Sequence, residues 1–98
     1  MPFTYKVPVP NELSPCPTVL LKEWLLNPGD YVNVGYGLAL LQTGQGLFEL
    51  CANGEGFVHC HSVNKEEEIL NREEVCLLAA DGEKIPYGRP YSTCRLIE

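Results

Sequence analysis

Lys22-Glu23-Trp24-Leu25-Leu26-Asn27-Pro28-Gly29-Asp30-Tyr31-Val32-Asn33-Val34-Gly35 is the stretch on which the fold turns. Its first part, read from Thr18, is rich in Leu, Lys and Glu, which favour helix. That segment runs at once into Asn27-Pro28-Gly29-Asp30, a strong turn signal. Tyr31-Val32-Asn33-Val34 then alternates with β-branched residues, which is the pattern of a half-buried strand. The stretch therefore predicts strand, turn, strand.

The same grammar continues in both directions. Gly35-Tyr36-Gly37 interrupts the chain, Leu38 to Gln42 is a short apolar run, and Thr43-Gly44-Gln45-Gly46 is a glycine-rich turn. Leu47-Phe48-Glu49-Leu50-Cys51 reads as the partner strand. Asn53-Gly54-Glu55-Gly56 turns again, Phe57 to Val63 is strand-like, Lys65 to Glu68 turns the chain, and Val75 to Leu78 is a last short strand. Upstream, five prolines within the first seventeen residues resist helix. Tyr5-Lys6-Val7-Pro8-Val9 fits an edge strand, where proline is tolerated. Short strands at such spacing predict an all-β sandwich or barrel.

A chain of 98 residues is one domain with a thin core. Its apolar content of 45% is that of a folded protein. The net charge of −6 argues against nucleic acid and anionic membranes, which call for clustered Lys and Arg. Glu66, Glu67, Glu68, Glu73 and Glu74 concentrate the acid. They read first as a solvated hairpin, and second as a patch that steers a basic partner. The start of the chain has no secretory signal pattern and no apolar run is long enough to span a bilayer, so the chain reads as cytoplasmic. In that setting Cys16, Cys51, Cys60, Cys76 and Cys94, odd in number and without a CxxC pair, are expected to be free thiols.

An internal repeat is also visible. Val19, Leu21 and Trp24 find counterparts 39 residues on in Val58, Cys60 and Val63, and Val32 and Leu38 find theirs 37 residues on in Ile69 and Val75. A two-residue shortening of the second turn would account for the change. Two such halves, each too small to bury its own apolar face, would share one core. The tail from Asp81 to Glu98 differs in composition, and its Ile85-Pro86-Tyr87-Gly88-Arg89-Pro90-Tyr91 stretch reads equally as a segment folded back over the domain or as a peptide that docks a partner.

The ordered series resembles the biotinyl/lipoyl carrier family. The stretch quoted first is similar to the strand that ends in Gly-Asp, then Val, then Gly. Leu38-Ala39-Leu40-Leu41-Gln42-Thr43 resembles the strand leading into the modified turn, Leu47-Phe48-Glu49-Leu50-Cys51-Ala52 the strand leaving it, and Gly54-Glu55-Gly56-Phe57-Val58 the opening of the second half. The resemblance implies a flattened barrel-sandwich of two small antiparallel sheets with pseudo-twofold symmetry. It divides the chain into a lipoyl/biotinyl-like β domain at 1–80 and an extension at 81–98.

Where that family carries its acceptor lysine, between Asp and Ala or between two Met, this chain has Gln45 between Gly44 and Gly46. Attachment of biotin or lipoate requires an amine nucleophile. A glutamine nitrogen is an amide whose lone pair is delocalised into the carbonyl, so modification at this turn is expected to fail. The family's second Gly-Asp is replaced by Glu67-Glu68. Lys65 and Lys84 are the alternative acceptors, and each reads better as a solvated lysine.

His59-Cys60-His61 is the other candidate. On a regular strand the histidines would share a face and Cys60 would point into the core. Two imidazoles begin a zinc site but do not complete one, so no metal is expected, and a small metal- or ligand-binding module using His59 and His61 is the alternative reading. Cys51 and Cys76 read as core thiols and Trp24 as buried. No nucleophile–base series and no phosphate loop is present. The expectation is a non-enzymatic domain without a cofactor that acts through contacts with another protein, using Thr43, Gln45, Glu66, Glu67, Glu68, Glu73 and Glu74 as its surface.

Overall fold

A computed structural model describes residues 3–86, 88 and 90–98. Tyr87 and Arg89 of the Pro/Tyr stretch lie outside the described residues. Eight strands occur in the order β1 (Phe3–Val7), β2 (Leu20–Trp24), β3 (Tyr31–Val32), β4 (Gly37–Thr43), β5 (Gly46–Ala52), β6 (Gly56–His61), β7 (Cys76–Ala80) and β8 (Ser92–Leu96), with single 3-10 turns at Asn11–Leu13 and Gly82–Lys84. They form two four-stranded antiparallel sheets, β1-β7-β6-β3 and β2-β4-β5-β8. The chain is therefore an all-β sandwich, as the spacing of turns predicts, and the Leu/Lys/Glu-rich segment is strand. The prolines before it and the Asn-Pro-Gly-Asp turn after it leave a helix no room to propagate.

Alternation places the core. Cys76, Leu78 and Ala80 of β7 point inward, as do Leu21, Leu41, Leu50 and Ala52 from the other sheet, all nearly or fully buried. Each fully buried Leu or Val contributes about 1.5–3 kcal/mol. The proline-rich stretch lids one end through Leu13, which is 1% exposed. Arg72 ties that lid down, its guanidinium donating to the carbonyls of Leu13 (3.3 Å) and Cys16 (2.6 Å).

The two halves repeat one pairing scheme 37 residues apart. In β2–β4 the partners are Leu20↔Gln42, Leu21↔Leu41, Glu23↔Leu40 and Trp24↔Ala39, with a bulge between Leu21 and Glu23. In β6–β7 they are Phe57↔Ala79, Val58↔Leu78, Cys60↔Leu77 and His61↔Cys76, with a bulge between Val58 and Cys60. Adding 37 to every number of the first set gives the second.

Each half also lends its post-turn segment to the other. Gly29 N–H donates to Val58 O (2.7 Å) and Val58 N–H to Asp30 O (2.9 Å), while Glu66 N–H donates to Leu21 O (2.6 Å) and Leu21 N–H to Glu67 O (2.9 Å). The Tyr31↔Phe57 pair has its counterpart in an isolated Leu20↔Glu68 bridge.

This corrects the repeat read from the sequence. Trp24 corresponds to His61 and Leu21 to Val58, so the first half also runs at 37, and neither turn is shortened. A slip of two residues keeps every side chain on its face, so apolar matching alone cannot fix such an offset. The turn Asn27-Pro28-Gly29-Asp30 recurs as Asn64-Lys65-Glu66-Glu67, closed in each case by an N–H to the Asn carbonyl (3.0 and 3.2 Å). The residues standing for Gly-Asp are thus Glu66-Glu67 rather than Glu67-Glu68.

Gly29 adopts φ +95 and Glu66 φ 67, the one positive φ among the described non-glycine residues. A side chain in that region costs about 1–2 kcal/mol. Gly29→Ala is expected to lose about 1 kcal/mol from backbone conformation alone, because a Cβ there meets nothing within 4 Å. Glu66→Gly is expected to raise the unfolding free energy measured in urea by up to about 1 kcal/mol, and Glu66→Gln, which removes only the charge, to raise it less. Equal losses from Gly29→Ala and Glu66→Gly would contradict the equivalence of the two turns.

The segment 81–98, set apart by composition, supplies β8, which pairs with β5 from Phe48↔Leu96 to Ala52↔Ser92. The Ser92 hydroxyl donates to Pro8 O (2.7 Å) and the Asn53 amide to Pro90 O (2.6 Å). Ser-Thr-Cys-Arg-Leu lacks apolar alternation because an edge strand is held by its ladder on one side and packs little.

Candidate functional site

The β4–β5 hairpin ends in the pair Thr43↔Gly46, so Gly44 and Gln45 are the two residues of its turn. Thr43 builds the turn from within. It is 7% exposed, its hydroxyl donates to Gly46 O (3.1 Å) and accepts the Gln45 N–H (3.0 Å). Thr43 is thus a brace for the tip and not part of an accessible surface, a role its neighbouring glycines conceal in the sequence. Gln45 stands exposed at the end of the hairpin.

Gly46 has φ +136, and a Cβ there would run into the Glu98 carbonyl, which accepts the Leu47 N–H (2.9 Å). The chain following β8 therefore supports the base of the turn. That contact was not legible in the sequence, because it joins residues 52 positions apart (98 − 46).

The acidic group is divided. Glu66, Glu67, Glu68 and Glu73 are exposed, whereas Glu74 is half-buried and accepts the Ser62 hydroxyl (2.6 Å). Leu20 pairs with Glu68 on one side and Gln42 on the other. Glu68 and the Gln45 turn therefore lie at the same end of the same sheet, separated by β2 and β4. Lys65 occupies the turn position of Pro28, and Lys84 faces Glu55 at 3.6 Å.

At His59-Cys60-His61 the Val58/Cys60 bulge breaks the alternation. His59 is exposed, His61 is half-buried, and Cys60 is half-buried rather than a core thiol. A bulge inserts one unpaired residue and re-aims its neighbours, which the alternation rule does not foresee. The His61 ring stacks on Trp24 (centroids 3.7 Å, planes 3° apart), and its Nε2 lies 2.9 Å from the Leu26 carbonyl. A carbonyl only accepts, so Nε2 carries the hydrogen. Trp24 is half-buried at the margin of the core, and its Nε1–H donates to Val63 O (2.9 Å). Leu26 and Val63 are themselves 37 residues apart, so the two rings form a reciprocal pair. Among the described residues no three His, Cys, Asp or Glu side chains cluster as metal ligands.

All five cysteines are free thiols, as expected, and Cys51 and Cys76 are buried as expected. Burial pushes the Cys76 thiol up to about 12, with Cys60 and Glu74 adding to it. Burial, reinforced by Glu12, carries Cys94 to about 11. Burial and then Glu49 raise Cys51. These three are poor thiolates at neutral pH. No helix among the described residues is long and apolar enough to cross a membrane. Compared with known proteins, the chain matches no family model, no curated protein and no solved structure.

Proposed function

We propose that this chain is a lipoyl/biotinyl-like domain without an acceptor lysine, and that it works by contact with another protein. The observation that carries the reading is the hairpin tip. A two-residue turn, at the place where the carrier family holds its lysine, presents Gln45 to solvent on a frame built from Thr43 and Gly46. The repeat favours it too, since a pair of half-domains exchanging segments agrees with the pseudo-twofold sandwich that the resemblance implies. With an amide in place of the amine, no acyl attachment follows. What remains is the accessible end of the second sheet, made by Gln45 and, across β2 and β4, Glu68. Its partner is a protein rather than nucleic acid or a membrane, in keeping with the acidic chain.

The intact mass of the chain, co-expressed with biotin and lipoate ligases, is expected to be that of the bare polypeptide. Gln45→Lys restores the amine on the same frame and is expected to gain a biotinyl or lipoyl adduct, while Gln45→Arg gains none. An adduct on the unsubstituted chain would overturn the reading and direct peptide mapping to Lys65 and Lys84. A bare mass for Gln45→Lys would remove the assignment of this turn to the carrier family's position.

A further inference from the structure

The repeat is broken after β7. Shifting the Gly44-Gln45 turn by 37 residues leads to Asp81-Gly82, where β7 does not turn back into a hairpin. Instead the chain leaves the sheet through the 3-10 turn Gly82–Lys84. The departure opens a pocket of roughly 330 Å³ on the first sheet, floored by Gly56, Ala79 and Ala80 and walled by Tyr31 and Phe57. That size is at the lower end for ligand pockets and suits one large side chain rather than an extended cofactor.

The walls are aromatic and in solvent. Phe57 is 53% and Tyr31 42% exposed, and their rings meet edge to face at 5.0 Å and 70°. The Tyr31 hydroxyl donates to Glu55 (2.8 Å), whose other oxygen faces Lys84 at 3.6 Å, so the ring is anchored through its hydroxyl as well as by its contact with Phe57. Exposed apolar rings held in this way mark contact surfaces more than chance exposure does. The charge at the mouth is one-sided. Asp81 and Lys84 line the pocket, and Lys84 is matched by Glu55 at 3.6 Å, which leaves Asp81 without an ion pair among the described residues, in a chain of net charge −6.

We propose that this pocket docks a basic segment of a partner protein. One aromatic side chain of that segment enters between Tyr31, Phe57 and the alanine floor, and a flanking Lys or Arg faces Asp81. Aromatic burial supplies the anchor, and the Asp81 carboxylate supplies orientation and selection against acidic segments. The surface is separate from the Gln45 turn and its test involves no cofactor attachment, so either reading can fail without the other.

The test is a titration of the whole chain, followed by amide and aromatic NMR shifts, with the probe peptide Ac-Lys-Lys-Trp-Lys-Lys-NH2. Shifts are expected at Tyr31, Phe57, Ala79 and Asp81, weakening several-fold between 20 and 200 mM salt, on the order expected for screened surface charge. Ac-Lys-Lys-Ala-Lys-Lys-NH2 and Ac-Glu-Glu-Trp-Glu-Glu-NH2 are each expected to bind at least about tenfold more weakly. Phe57→Ala, at an exposed position, is expected to keep the fold and lose at least about tenfold in affinity, and Asp81→Asn about two- to fivefold. Equal binding of the three peptides, or shifts confined to the acidic loop at 66–68, would overturn the proposal. So would sedimentation showing a dimer that Phe57→Ala dissolves, which would assign the pocket to a second copy of the chain.

Discussion

Gly56→Ala is expected to cost about 3 kcal/mol or more, the sum of a strained backbone and an overpacked site. Gly56 begins β6, pairs with Val32 of β3 and has φ +150, a conformation that side chains rarely adopt. A Cβ built on it lies 2.6 Å from Ala79 O and 3.1 Å from Ala79 C. Both atoms are backbone of β7, which is hydrogen-bonded on both sides in the order β1-β7-β6, so neither can yield without breaking the ladder. Total stability of a domain this size is of order 5–15 kcal/mol, and 1 kcal/mol moves the melting temperature by about 4–8 °C. The variant is therefore expected to melt some 12–24 °C lower, or not to fold at growth temperature. Gly44→Ala is the control. Its φ is not positive and a Cβ there meets nothing within 4 Å, so its unfolding free energy in urea should stay within about 0.5 kcal/mol of the parent. A Gly56→Ala unfolding free energy within about 1 kcal/mol of the parent would refute the steric account.

The second large effect lies where the two halves meet. Trp24→Ala is expected to cost about 3 kcal/mol, near the low end for tryptophan truncation because the ring is half-buried. It removes apolar burial, the stack on His61 and the donor to Val63 O together. His61→Ala is expected to cost about 1–2 kcal/mol through the same stack and the unpaired Leu26 carbonyl. Because each ring is the other's contact, the losses should not add. The double variant is expected to lose about 1 kcal/mol less than the sum of the two, a coupling in the range measured for residues in contact. His61→Phe keeps a ring on Trp24 but offers no donor, and so should recover part of the His61→Ala loss. Additivity within about 0.3 kcal/mol in the double-mutant cycle would show that the parallel rings do not support each other.

Much of the fold follows from local features of the sequence. Asn27-Pro28-Gly29-Asp30 ends β2 whatever surrounds it, because proline and glycine restrict the backbone locally. Thr43-Gly44-Gln45-Gly46 closes β4 on β5 for the same reason. The alternation of Val and Leu around those turns fixes strand over helix and places Leu21, Leu41, Leu50 and Leu78 inside. The absence of an amine at the hairpin tip is likewise a property of the sequence, since Gln45 is an amide in any fold. These are effects carried by a residue and its near neighbours.

Only the tertiary structure decided the rest, and in each case the deciding partner is distant in the chain. That the 37-residue offset also holds before the Asn-Pro-Gly-Asp turn came from hydrogen-bond register, since an apolar pattern of period two fits equally well after a slip of two residues. Glu66 could be recognised as the stand-in for Gly29 only from the strand register, the turn hydrogen bonds and its backbone conformation. The bulge at Val58/Cys60 moved Cys60 out of the core. Pairing with β5 made a strand of a tail that carries no strand pattern of its own. The Tyr31–Phe57 pocket exists because β3, β6 and the turn after β7 come together from three separate parts of the chain. Local sequence sets which backbone conformations are cheap, but register, bulges and pockets are set by the packing of segments against each other, and that energy is not contained in any one of them.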